Sequence, residues 1–239
     1  MMFESILNRN ETPTGIQPMT KEFFANVYSY MFLALGISGI TAYFAGFSKV
    51  FWSYMITETG VSPIFYVVVF APLVLAIAIQ ARYRKMSMMT ILALFILFSA
   101  LMGLSLASIF VIYSLGTIFK VFLISAGMFG GMAILGYTTK TDLSKFGSLM
   151  YMLFIGIFIA SLVNMFMKSD AMGYWISFIG IFVFTGLTAW EMQKLKYIAA
   201  DPTIDANDKK KVALIGGLSL YILFVNLFLS LLRVFGGRD

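Results

Sequence analysis

The sequence predicts an all-α integral membrane protein with seven transmembrane helices, and three observations carry that prediction. Hydrophobic residues make up 60% of the chain and charged residues only 12%, with a mean hydropathy of +0.91, whereas soluble domains are roughly a quarter charged. Charge-free intervals recur at 23–48, 59–81, 86–119, 121–139, 146–167, 171–190 and 212–232, and each can hold the roughly 20 residues that cross a hydrocarbon core about 30 Å thick. Lysines and arginines then fall unevenly on alternate sides of those spans, as membrane topology demands.

The elements follow in order. Residues 1–22 read as a flexible cytoplasmic tail, because MMFESILNRNETPTGIQPMT mixes acids, Asn, Thr and Pro and lacks the basic start and apolar core of a cleaved signal peptide. Within it, Thr12-Pro-Thr-Gly-Ile-Gln-Pro18 reads as a solvated leader or a segment for a partner to engage. Residues 23–239 form one seven-helix membrane domain. Span one lies in 23–48, and span two lies in 59–81 and closes at Arg82. Interval 86–119 exceeds one ordinary span, and Ser114-Leu-Gly116 supplies its turn, so span three ends there and span four continues through 121–139. On span four, Gly127-Met-Phe-Gly-Gly131 predicts close packing against a neighbouring helix, with a dimer contact as the alternative, and Lys120 reads as snorkelling outward or lining an outer vestibule.

Span five occupies 146–167, and span six, 171–190, closes at Glu191. The stretch from Met192 to Lys211 is then the longest soluble segment, too short for a separate domain. Its Asp201, Asp205 and Asp208 lack the spacing and glycine of an EF-hand loop and read as loop-solvating and helix-capping residues. Span seven, 212–232, ends at Arg233. An odd helix count argues against inverted transporter repeats.

Charge sets orientation. Twelve of the 17 basic residues (Arg9, Lys21, Arg82, Arg84, Lys85, Lys140, Lys145, Lys194, Lys196, Lys209, Lys210 and Lys211) fall on the side of the N-terminus, and Lys49, Lys120, Lys168, Arg233 and Arg238 fall on the other. The N-terminus is therefore expected in the cytoplasm. The net charge of +6 is a topology signal, and no basic aromatic surface outside the membrane suits a nucleic acid. With no His and no Cys, the chain has no disulfide, thiol nucleophile, His metal ligand or imidazole switch. It reads as a non-enzyme without cofactor or metal, whose proton sensing falls to carboxylates.

Charged groups at membrane depth are costly, which makes them functional candidates. Glu191 is the acid nearest that depth, one turn after Thr188. Burial would favour its neutral form, and a nearby cation its ionised form. Arg82, on the same side, is the expected partner, and Lys194 or Lys196 are the local alternatives. On span seven, Gly216, Ser219, Leu223, Asn226, Ser230 and Arg233 step by three or four residues and share one helix face that should point into the bundle. Ser219, Asn226 and Ser230 there read as helix packing or as a functional polar stripe, and Arg233 as snorkelling at the helix end or as lining a pore. Leu223 is apolar where both neighbours on the face are polar.

Three segments carry a resemblance. They are Ala126-Gly-Met-Phe-Gly-Gly-Met132 with Gly136-Tyr-Thr-Thr-Lys-Thr-Asp-Leu-Ser144, then Gly186-Leu-Thr-Ala-Trp-Glu-Met-Gln-Lys194, and Leu218-Ser-Leu-Tyr221 running through Phe224-Val-Asn-Leu-Phe228 to Leu232-Arg-Val-Phe-Gly236. From about Phe23 onward the chain resembles a bacterial member of the Bax inhibitor-1 family. The resemblance implies a Bax inhibitor-1-like bundle of two triple-helix layers around the last helix, in the bacterial inner membrane. It also implies a calcium leak gated by two acids that share a proton and engage an arginine ending the second helix. Glu191 matches the first acid, Arg82 best matches the arginine, and the second acid falls on Leu223. Calcium takes six to eight oxygen ligands, so the loss of that carboxylate weakens calcium sensing and leaves an Arg82–Glu191 lock. The same resemblance implies an alternative, a non-conducting regulator that binds a membrane-anchored ATP-dependent protease.

Overall fold

A computed structural model describes residues 16–58 and 60–237. Residues 1–15, with Arg9 and most of Thr12–Pro18, and Arg238 lie outside the described residues. The tail's remaining residues, from Ile16, are helical and continue into span one as α1, Ile16–Gly46. There follow α2, Lys49–Met55, a hairpin of β1, Ile56–Thr57, and β2, Gly60–Val61, and then α3, Pro63–Arg82. The hairpin pairs Ile56 with Val61 and Thr57 with Gly60. Gly60 supplies the positive φ, 126°, that its turn requires. A 3₁₀ turn, Tyr83–Lys85, leads to α4, Met88–Leu106, the short α5, Ile109–Ile112, α6, Leu115–Thr138, α7, Ser144–Met167, α8, Asp170–Ala200, and α9, Ala206–Phe235. Of these, α1, α3, α4, α6, α7, α8 and α9 are long and apolar enough to cross a membrane.

Side-chain caps explain where the helices begin. Ser87, Ser114 and Ser169 each accept the backbone N–H three residues on, at α4, α6 and α8, and Asp205 accepts from Asn207 N at α9. The turn read at Ser114 is thus a capped helix start, preceded by the single turn of α5. The connection from α7 to α8 is tight because Lys168 adopts the left-handed conformation and Asn164 accepts from Ser169 N through its side chain, at 3.1 Å. Pro72 within α3 has no N–H for the Val68 carbonyl. The Ser105 hydroxyl of α4 donates to that carbonyl at 2.7 Å. In a hydrocarbon core such replacement is what makes a helical proline tolerable.

Helices α1, α8 and α9 contain 31, 31 and 30 residues, reaching about 45 Å at 1.5 Å per residue and projecting beyond a core about 30 Å thick. The soluble stretch expected from Met192 to Lys211 is therefore largely helix, and only residues 201–205 link α8 to α9. Charge ends the hydrophobic interval without ending the helix.

The spans form two sets of three. In the first, α4 packs against both α1 and α3, and in the second, α8 packs against both α6 and α7. Helix α9 touches α1, α4, α6 and α8 and is the most buried span, as the central position requires. Leu218, Leu220, Tyr221, Phe224, Val225, Leu227 and Leu231 fill its surroundings. Among the described residues the buried Tyr221 hydroxyl has no hydrogen-bond partner, and its neighbour Ser38 donates to Leu35 O at 3.2 Å. Packing of Gly127 and Gly131 against a neighbouring span is not found. A Cβ at either would meet open space. Helix α6 instead buries Val121, Ser125, Phe129, Ala133 and Gly136.

Candidate functional site

The C-terminal half of α8 is wedged between α6 and α7 by missing side chains. Gly136 of α6 lies so close to the Ala189 backbone that a Cβ would overlap the Ala189 carbonyl, and Gly147 of α7 receives the Trp190 ring in the same way. Gly186 leaves room for Phe146 and Met150 of α7. Glycine permits such backbone approach, so these contacts fix how α8 is rotated and lifted.

That rotation sends Glu191 inward, where the residue is only 6% exposed. Its carboxylate pairs with Lys194 on the next turn of the same helix, at 2.5 Å. The lysine is 45% exposed, and its ammonium lies 5.2 Å from the centre of the Trp190 ring, a cation–π distance. Thr188, one turn earlier and fully buried, donates to Phe184 O at 2.7 Å.

Arg82 and Glu191 are not brought together. Arg82 is exposed and forms no ion pair among the described residues, so the expected Arg82–Glu191 lock is absent. Packing explains this: α3 packs chiefly against α4, whereas α8 packs against α6, α7 and α9. Lys194 needs only a rotamer to reach the carboxylate. The 3₁₀ turn after Arg82 does pack on α9, and the Arg84 Nε donates to the Tyr83 hydroxyl at 3.2 Å.

Only part of the polar stripe of α9 meets α8, and Ser219, Leu223 and Asn226 are half-buried. Gly216 abuts Leu195, Ser230 covers Gly180, and Arg233 lies over Gly173. This antiparallel register puts Ser219 about level with Glu191 and Leu223 about level with Thr188. Leu223 packs, half-buried, against the apolar core at the position where the resemblance places a second acid. Asn226 donates to Ile222 O of its own helix at 2.8 Å. Arg233 is exposed and reaches Asp170 at 3.8 Å, at the opposite end of α8 from Glu191.

Gln193, within the Gly186–Lys194 segment, belongs to the site although no charge or break in the sequence singles it out. It is 2% exposed, and its amide donates to Thr141 O and accepts from Leu143 N, each at 2.8 Å. Lys196 adds a long bond to Thr139 O, 3.5 Å. The loop joining α6 to α7 is thus tied to α8 beside Glu191. Helical spacing held the signal, since Gln193 follows Ala189 by four residues and shares the face that meets α6. In the same loop, the Ser144 backbone N–H and side chain bond the Asp142 carboxylate and hold its pKa below the usual carboxylate range. Chemically, the site offers one buried carboxylate, one half-exposed cation and a braced loop.

Comparison with known proteins adds identity to this geometry. The family described as Inhibitor of apoptosis-promoting Bax1 matches residues 20–239. The inner membrane protein YbhL of Escherichia coli K12 is 40% identical over 227 residues, covering 93% of this chain and 95% of the relative. A protein of Borreliella burgdorferi described as uncharacterized is 41% identical over 217 residues, 91% and 92% of the two chains. An uncharacterized membrane protein of Streptococcus pyogenes serotype M1 is 36% identical over 220 residues, 91% and 93% of the two chains. With seven membrane-crossing helices in two triplets around α9, and with a match of this extent, the chain belongs to the Bax inhibitor-1 family of multi-pass membrane proteins.

Proposed function

We propose that this inner membrane protein is a proton-sensitive cation leak described here in a closed conformation, with Glu191 as the sensor. The observation that carries the reading is the buried Glu191 carboxylate paired to Lys194 in the wedge between α6, α7 and α9. Intramembrane carboxylates of this kind are kept at a cost and mark ion or proton pathways. Protonation of Glu191 removes the ion pair and frees Lys194 to move outward over Trp190. The latch is thus Glu191 with Lys194, and Arg82 is outside the closed pair. Calcium would pass only as an unsensed ion, because Leu223 supplies no oxygen where high-affinity coordination would need several.

Proteoliposome flux tests this. Flux through the parent should rise as pH falls, and Glu191→Gln should lose that dependence. An unchanged pH profile in the variant overturns the latch.

Two observations favour the second reading, a non-conducting regulator that binds a membrane-anchored protease. The axis around α9 is filled by large apolar side chains, and Asn226 of the stripe is satisfied within its own helix. Reconstituted protein that passes no cations at any pH, together with recovery of such a protease in a pull-down, would put this reading first.

A further inference from the structure

The cavity between α1, α6 and the C-terminal half of α8 has a volume of about 620 Å³, within the roughly 300–1,000 Å³ of small-molecule sites. Its walls are apolar and aromatic. Phe24 of α1 and Tyr137 of α6 meet edge to face at 5.2 Å, and Met192 of α8 accepts from the Tyr28 hydroxyl at 3.7 Å. Ile134 lines the mouth and is 65% exposed, and the neighbouring Leu135 is 58% exposed. The cleft therefore opens onto the lipid-facing surface of α6.

Among the described residues, charge at the rim has one sign. Lys21 lines the cavity, and the Lys196 ammonium stands 5.7 Å from the centre of the Tyr137 ring. Among the described residues that ammonium's one hydrogen bond is the long one to Thr139 O, and its other contacts are the Tyr137 and Tyr197 rings, so donors remain for a ligand. The nearby acids are engaged or face elsewhere: Glu191 pairs with Lys194, Asp142 takes the Ser144 N–H, and Glu22 lines a separate groove with Lys209 and Lys210. Aromatic residues and lysines at helix ends mark the depth of lipid headgroups. Basic pockets between spans are where anionic headgroups bind.

We propose that this cleft binds an anionic phospholipid, one acyl chain between α1 and α6 and its phosphate on Lys21 and Lys196. The site is independent of whether the protein conducts. A lipid seated there would bridge α1 to α6, one helix from each triplet.

The test is native mass spectrometry of the full chain in mild detergent with equal amounts of phosphatidylglycerol and phosphatidylcholine. At the strength of two lysines near a headgroup, the parent should retain phosphatidylglycerol roughly ten-fold or more over phosphatidylcholine. Combined Lys21→Gln and Lys196→Gln should bring the ratio near one. Ile134→Trp, at an exposed position that leaves folding intact, should fill the mouth and abolish the enrichment by steric exclusion. Equal retention of both lipids by the parent overturns the site, as does enrichment that persists in both variants.

Discussion

At Lys194 one ammonium offsets the cost of a carboxylate that is almost wholly buried, while its own exposure keeps it movable. Removing the cation and removing the charge should therefore differ. Lys194→Ala leaves Glu191 buried and unpaired and should lower stability by about 1–3 kcal/mol at neutral pH. Glu191→Gln removes the charge itself and should cost less than about 1 kcal/mol. Thermal unfolding in detergent measures both, and equal losses would mean that the pair is screened as a surface pair is. The acid was legible because a charge closes an apolar run. Its partner was not, because an i+3 lysine and an arginine on another span are equally compatible with the sequence. Only the packing of α3 on α4 separates them. Gln193 shows the same limit: its spacing was readable, but the loop it ties returns only once α6 and α8 are docked.

Among the elements, the seven spans were legible because hydrocarbon demands about 20 apolar residues wherever a helix crosses. Their ends were less so, since a helix can leave the membrane and continue through charged residues, as α8 does to Ala200. Gly127 and Gly131 misled for a different reason. The buried stripe of α6, Val121 to Gly136 in steps of three or four, lies two residues off their register, about 200° around the helix. The same glycine spacing can face a neighbour or lipid, and the buried stripe decides which. Helices α3 and α4 carry a sharper consequence of hydrocarbon. Ser105 answers the carbonyl that Pro72 leaves open. Ser105→Ala should therefore cost about 1–2 kcal/mol. In combination with Pro72→Ala, whose restored N–H can bond Val68 O, the loss should largely disappear. A double-mutant cycle measures that coupling, and additive losses would show that Ser105 is not the carbonyl's replacement partner.

For the whole molecule, the pairing of α8 and α9 as the long central hairpin puts its turn, 201–205, at one end of the bundle together with Arg82, Lys140 and Lys194. Lys49, Lys120, Lys168 and Arg233 belong to the other end, so the charge asymmetry read along the chain becomes an asymmetry of the folded object. By the positive-inside rule the basic end is the one expected on the cytoplasmic side. The absence of cysteine makes orientation testable without background. Asn207→Cys, exposed at the start of α9, samples the basic end, and Ser53→Cys, exposed on α2, samples the opposite one. Neither side chain contributes to the buried packing, so the fold should tolerate both. A membrane-impermeant maleimide should label Asn207→Cys in inside-out vesicles and leave it untouched in spheroplasts, with the reverse for Ser53→Cys. The opposite pattern would place the N-terminus outside. It would also put the Glu191 latch and the Lys21 cleft on the face away from the cytoplasm, so that a sensor read by cytoplasmic pH would have to be abandoned.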